Sequence, residues 1–139
     1  LLSLVVNNPD GYNFNCLILS ENPLTAVTIY HNPKCSKSRQ TLAILENKGV
    51  TTKIIFYLET PLDASTLKDL INQLNVDTRG IMRTSEDEYA EQNLEDDALT
   101  QDELIAAIMA TPKLLQRPIV VSNNQARIGR PPESVLEII

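Results

Sequence analysis

Cysteine is scarce in this 139-residue chain, with two residues, Cys16 and Cys35, set 19 positions apart. That spacing makes neither a disulfide framework nor a zinc pattern. A free thiol is kept most easily in a reducing compartment, so a cytoplasmic location is expected. Long apolar runs are missing too: nothing approaches the roughly 20 residues of a membrane span. The apolar start, Leu1 to Val6, lacks a basic flank and a small-residue cleavage site, so no signal peptide is expected. Positive charge is in the minority, and the net charge of −6 disfavours nucleic acid as a partner. There is one histidine, His31, and neither repeats nor low-complexity tracts are present.

What is there is ordinary in amount and uneven in place. The chain is 42% hydrophobic and 22% charged, the composition of one globular domain with a real core. Residues 59–103 carry 13 acidic and 3 basic side chains. Residues 27–58 carry five basic and one acidic, and residues 104–139 carry four basic and two acidic. The cations therefore lie toward the two ends of the domain; folded together, those ends would make a positive site on an acidic protein. Residues 1–26 are Asn-rich and broken at Asn7-Asn8-Pro9-Asp10-Gly11 and Asn22-Pro23, and read as an extension outside a domain spanning 27–139.

Within that domain Val27–Tyr30 reads as a short strand, stopped by Pro33. A helix is expected from about Cys35 to Lys48, with Leu42 and Leu45 on one face and Gly49 as its stop. Lys53–Leu58 is a second strand, parallel to the first by the strand–helix–strand rule. Leu67, Leu70, Ile71 and Leu74 have helical spacing, and Ser85–Leu94 is a further helical segment. Thr100 and Glu103 form a capping box ahead of Leu104, Ile105 and Ile108. Ile119-Val120-Val121 is a strand, turned at Asn123-Asn124 into Ala126-Arg127-Ile128. Pro131-Pro132 start a last helix carrying Val135, Leu136 and Ile138. The order β-α-β, helical insert, β-β-α is a thioredoxin-like α/β topology with an inserted helical region. Pro118, opening the third strand, is the expected cis-proline beside the reactive site.

Cys35 is the centre of the chemistry. Free N–H groups at a helix start favour thiolate over thiol, and the thiolate is the nucleophile. His31, Lys34, Lys37 and Arg39 lie within a few residues of it. The alternative is a buried structural cysteine, which its polar neighbours Lys34, Ser36, Lys37 and Ser38 argue against. Ser38 stands where the second cysteine of C-x-x-C would be, and Thr41 where the arginine of C-x₅-R would be. Neither a local disulfide nor a phosphatase-type loop can form; Arg39, one turn on, lies on the helix face below the thiol. With no partner beside it, Cys35 needs an external thiol. His31 is either an electrostatic or hydrogen-bonding partner of the thiolate or an ordinary surface or core residue. Arg83, Arg117 and Arg130 each adjoin the end of an element. Such arginines are commonly solvated, yet planar guanidinia around one thiolate would hold a tetrahedral oxyanion in bidentate fashion.

Tyr30-His31-Asn32-Pro33-Lys34-Cys35-Ser36-Lys37-Ser38-Arg39 resembles the H-N-P-x-C-x-x-S-R motif of ArsC-type arsenate reductases. Three more blocks resemble that family in the same order: Tyr57-Leu58-Glu59-Thr60-Pro61, Arg117-Pro118-Ile119-Val120-Val121 and Arg127-Ile128-Gly129-Arg130-Pro131. The resemblance covers about residues 26–139 and is to the short chromosomal branch, without a C-terminal extension. It implies a thioredoxin-like fold, with Cys35 as the nucleophile and His31 lowering its pKa. It further implies Arg83, Arg117 and Arg130 as the anion-binding arginines, and Asn32, Ser38 and Arg39 in support. It also implies arsenate as substrate, glutathione as cosubstrate, glutaredoxin as partner, and no bound cofactor or metal. Cys16 could act as a resolving thiol only if residues 1–26 fold back over the site.

Three other readings share some of these features. Spx-type regulators bind RNA polymerase on the same fold, but typically carry a C-x-x-C switch where this chain has Cys35 and Ser38. A glutathione-dependent oxidoreductase of this fold could act on another substrate, because an oxyanion site does not name its oxyanion. A binding module could use the acidic stretch at 86–97, which reads more simply as a solvated helical surface.

Overall fold

The computed structural model describes residues 26–139. The expected extension falls outside these residues apart from Ala26, and Cys16 falls outside with it. Four strands, β1 (Val27–Tyr30), β2 (Thr52–Ile55), β3 (Ile119–Ser122) and β4 (Gln125–Ile128), form one mixed sheet in the order β2-β1-β3-β4. β1 and β2 are parallel, with Val27 opposite Thr52. β3 is antiparallel to both β1 and β4. The β3–β4 turn is Asn123-Asn124, both at positive φ (54° and 63°), the backbone of a type I′ hairpin.

The parallel pair needs a crossover, and α1 (Ser36–Asn47) supplies it. Gly49, at φ 70°, follows the helix, where a left-handed residue closes it. The insert between β2 and β3 holds α2 (Ala64–Leu74), α3 (Asp87–Glu91) and α4 (Gln101–Ala110), with single 3₁₀ turns at Thr78–Ile81 and Pro112–Leu114. Asp63 caps α2 by accepting from the Thr66 N–H at 2.8 Å. Thr100 and Glu103 make the reciprocal capping box at α4 that their spacing predicts.

Because side chains alternate across a strand, the sheet has two apolar faces. Val27, Ile29 and Val120 pack with Leu45, Val135 and Ile138 on the α1 side. Tyr30, Ile119 and Ala126 pack with Leu67, Leu70, Ile71, Leu104, Ile105 and Ile108 of the insert on the other. Replacing a fully buried Leu45 or Leu67 by Ala is expected to cost about 2–5 kcal/mol.

Three expectations need correction. The segment after Pro131-Pro132 is a 3₁₀ run, Pro132–Glu137, and not an α-helix; Val135 and Ile138 are buried while Leu136 is 40% exposed, a three-residue spacing that suits the tighter coil. β2 ends at Ile55 instead of Leu58, since residues 57–59 turn away from the sheet. The helix expected over Ser85–Leu94 shrinks to five residues, closed by Asn93 at φ 55°. The Arg117–Pro118 bond is cis, as its position predicts; the Arg130–Pro131 bond is cis as well, which sequence reasoning missed.

Candidate active site

β1 leads straight into the loop His31–Lys34, and the loop into α1. Cys35 is the N-cap of α1, with extended backbone. The loop is closed locally: the Cys35 N–H donates to the Asn32 carbonyl (3.0 Å), and the Lys34 N–H donates to Asn32 Oδ1 (3.0 Å). Arg39 reaches back to donate to the Pro33 carbonyl at 2.9 Å. Beneath the loop lies Ser38, fully buried. Its Oγ accepts from the Asn32 N–H (3.0 Å) and pairs with His31 Nδ1 (2.7 Å).

Ser38 therefore explains two features of the sequence. It replaces the second cysteine of a redox pair, and it ties the loop to the helix. The buried face of α1 runs Ser38, Thr41, Leu45, polar where it meets the site and apolar where it meets the core. Gly129 shows the same crowding from the other side. A Cβ there would collide with Thr41 Oγ1 and lie 2.7 Å from Pro118 Cγ, so only glycine lets β4 leave the sheet this close to α1.

The chain after Gly129 brings Arg130 to Cys35. Arg130 Nη1 lies 4.0 Å from Cys35 Sγ and donates to the Arg117 carbonyl at 3.1 Å. Burial raises the Cys35 pKa, but the Ser38 N–H, the Arg117 guanidinium and the Lys37 N–H together outweigh it. The thiol is thus held below its ordinary value, and the thiolate is favoured. His31 is not one of these causes. Its own pKa is lowered, by burial first and then by Arg39, so it is neutral near pH 7, and its ring bonds Ser38. His31 also bears on the loop through Ser38, whose Oγ holds the Asn32 N–H.

The three arginines reach the site in two ways. Arg117 and Arg130 stand at the thiol, whereas Arg83 joins them through a carboxylate that sequence reasoning missed. Glu86 Oε2 accepts from Arg83 Nε at 2.8 Å and lies 3.7 Å from Arg117 Nη1. Its other oxygen lies 3.7 Å from Lys113 Nζ, which also pairs with Glu88 at 3.1 Å. The Arg83 hydrogen bond, foremost, holds Glu86 below the usual carboxylate range despite partial burial. The signal was present in the three-residue spacing from Arg83 to Glu86 and was read only as part of an acidic stretch. Tyr57 was missed too: it is buried at 1% exposure, just past β2. Among the described residues no group of three or more His, Cys, Asp or Glu side chains is placed to hold a metal. No helix of the described residues is long and apolar enough to cross a membrane. Chemically, the arrangement is a thiol held below its ordinary pKa beside two guanidinia, suited to attack on a bound anion.

The sequence profile of the ArsC family matches residues 30–138. A protein of Escherichia coli (strain K12) named uncharacterized protein YfgD is 55% identical, over 81% of this chain and 96% of the relative. An arsenate reductase of Haemophilus influenzae is 47% identical, over 82% of this chain and 99% of the relative. Among solved structures, an arsenate reductase from Vibrio cholerae superposes with a TM-score of 0.81 at 56% identity, covering 82% of this chain and 98% of that one.

Proposed function

The chain belongs to the ArsC family, and from that premise we propose that it reduces arsenate to arsenite with an external thiol. The observation that supports this reading is the pairing of a thiol held below its ordinary pKa with the guanidinia of Arg117 and Arg130. The two guanidinia offset the repulsion between thiolate and oxyanion. The Cys35 thiolate attacks arsenic, the new S–As bond replaces an As–O bond, and the departing oxygen leaves as water after taking up protons. Cys35 is the free cysteine of the described residues, and Ser38 occupies the place of a local partner. The reducing equivalents therefore come from outside: glutathione attacks the adduct, glutaredoxin resolves it, and arsenite is released. Net, two thiols are oxidised to one disulfide for each As(V) reduced to As(III). A protein working this way belongs in a glutathione-rich compartment, the cytoplasm.

The test is a coupled assay of purified protein with arsenate, glutathione, glutaredoxin and NADPH. Arsenate-dependent NADPH oxidation is expected. Absence of turnover with all components present would overturn the assignment.

A further inference from the structure

Two buried polar atoms beside the site have no hydrogen-bond partner, Tyr57 Oη and Arg117 Nε. A buried hydroxyl left unpaired costs about 1–3 kcal/mol, and folded proteins keep few of them. These two belong to residues on different segments, one just past β2 and one at the start of β3, yet both border the same place. The Tyr57 ring lines a small cleft with Leu62, Ile108 and Leu115. Its hydroxyl end is close enough to Arg117, Asn32, Cys35 and Arg83 for each to act on its ionisation. Asn32 bears on the phenol as a hydrogen-bonding neighbour that favours its ionised form, yet no partner of ordinary length and angle satisfies the hydroxyl. Burial, the largest influence, raises the phenol pKa, so the group keeps its proton at neutral pH and is available as a donor.

A donor without an acceptor, next to guanidinia and a thiolate, fits an acceptor that arrives with the substrate. We propose that Tyr57 is a further oxyanion-binding residue, its Oη–H and the Arg117 Nε–H donating to oxygens of the tetrahedral anion held beside Cys35. The proposal rests on the oxyanion site of the proposed function, and it adds to the arginines a neutral donor from the segment after β2. The phenol is fixed by its buried ring, so it pays little rotamer entropy on binding. It is matched to an anion whose oxygens need donors in several directions.

The test is Tyr57→Phe, which removes one oxygen and keeps the ring. Binding of inorganic phosphate and of arsenate is measured by calorimetry without any thiol reductant, beside the unliganded melting temperature and the pH dependence of Cys35 alkylation. We expect roughly tenfold weaker binding of both anions, as for loss of a hydrogen bond to a charged group. The unliganded melting temperature should be unchanged or higher, and the alkylation profile unmoved. A lower melting temperature with unchanged anion affinity would make Tyr57 a packing residue only and overturn the proposal. A raised thiol pKa with unchanged anion affinity would assign the hydroxyl to the thiolate and overturn it too. If wild type binds neither anion, the proposal falls together with the site. If wild type binds both and Tyr57→Phe binds them weakly while no arsenate turnover is found, only the reaction assignment falls.

Discussion

The two walls of the site are built in opposite ways. One is local: within nine residues, His31 to Arg39, lie the thiol, the amides that face it and the side chains that brace the loop. The other is assembled from remote segments, with Arg83 and Glu86 from the insert, Arg117 from the start of β3 and Arg130 from beyond β4. The local wall makes the nucleophile, and the remote wall brings positive charge to meet the anion. A local wall can keep its geometry when a neighbouring segment shifts. A remote wall depends on the fold and on Gly129 allowing close approach. Glu86 belongs to the remote wall and tempers its charge before any anion arrives.

Breaking the local wall at its centre should have the largest effect. Cys35→Ser is expected to reduce arsenate turnover to background, because a hydroxyl at this position lacks the ionisation that makes the thiolate nucleophilic; undiminished turnover would remove Cys35 from the reaction. Next comes the remote wall. Arg117→Ala should raise the KM for arsenate by about ten- to a hundredfold, the range for a hydrogen bond to a charged group. It should also raise the thiol pKa read from alkylation rate against pH, since Arg117 is one cause of its lowering. A change in only one of the two would mean that the walls do not meet on the sulfur.

Ser38→Ala separates scaffold from electrostatics. It leaves His31 Nδ1 and the Asn32 N–H without their buried partner, an expected loss of about 1–3 kcal/mol by denaturant unfolding. The backbone N–H of residue 38 that faces the thiol is kept, so the alkylation pKa should stay nearly in place. A large pKa rise would show that the hydroxyl, and not the amide, stabilises the thiolate. The smallest effect is expected at Glu86→Gln. Glu86 is ionised below the ordinary carboxylate range in the folded state, so its contribution to stability is full above the unfolded carboxylate pKa of about 4.3. It is lost as the pH falls through the lower, folded value. The variant should flatten that acid limb and lower the arsenate KM a few-fold by freeing Arg83 and Arg117. A raised KM would instead make Glu86 a support that holds the arginines in position.

The same contrast governs what the sequence made legible. The local wall could be read almost whole, because a turn-forming Asn-Pro, a helix start and a cysteine lie in consecutive positions and are governed by short-range rules. The order of elements along the chain, the parallel β1–β2 pair, the Asn123-Asn124 turn and the Thr100–Glu103 box followed from similar rules. The remote wall was legible as residue types but not as contacts. Glu86, which joins Arg83 to Arg117, looked like one more acid in a solvated stretch. The buried His31–Ser38 pair was not legible, because proximity along the chain does not reveal which neighbour the ring meets. Tyr57 was absorbed into a strand because its ring reads as core, while its hydroxyl acquires meaning only beside Arg117. The final turn was read as α-helical because the spacing of Val135 and Ile138 suits both coils.

The account stands most directly on a single-turnover experiment with wild-type protein, arsenate and glutathione, with glutaredoxin left out. Intact-mass and peptide spectra should then find glutathione joined to Cys35, directly or through arsenic, only when arsenate is present. Its absence, its formation without arsenate, or its appearance at Cys16 instead would contradict Cys35 as the single nucleophile that hands its adduct to an external thiol.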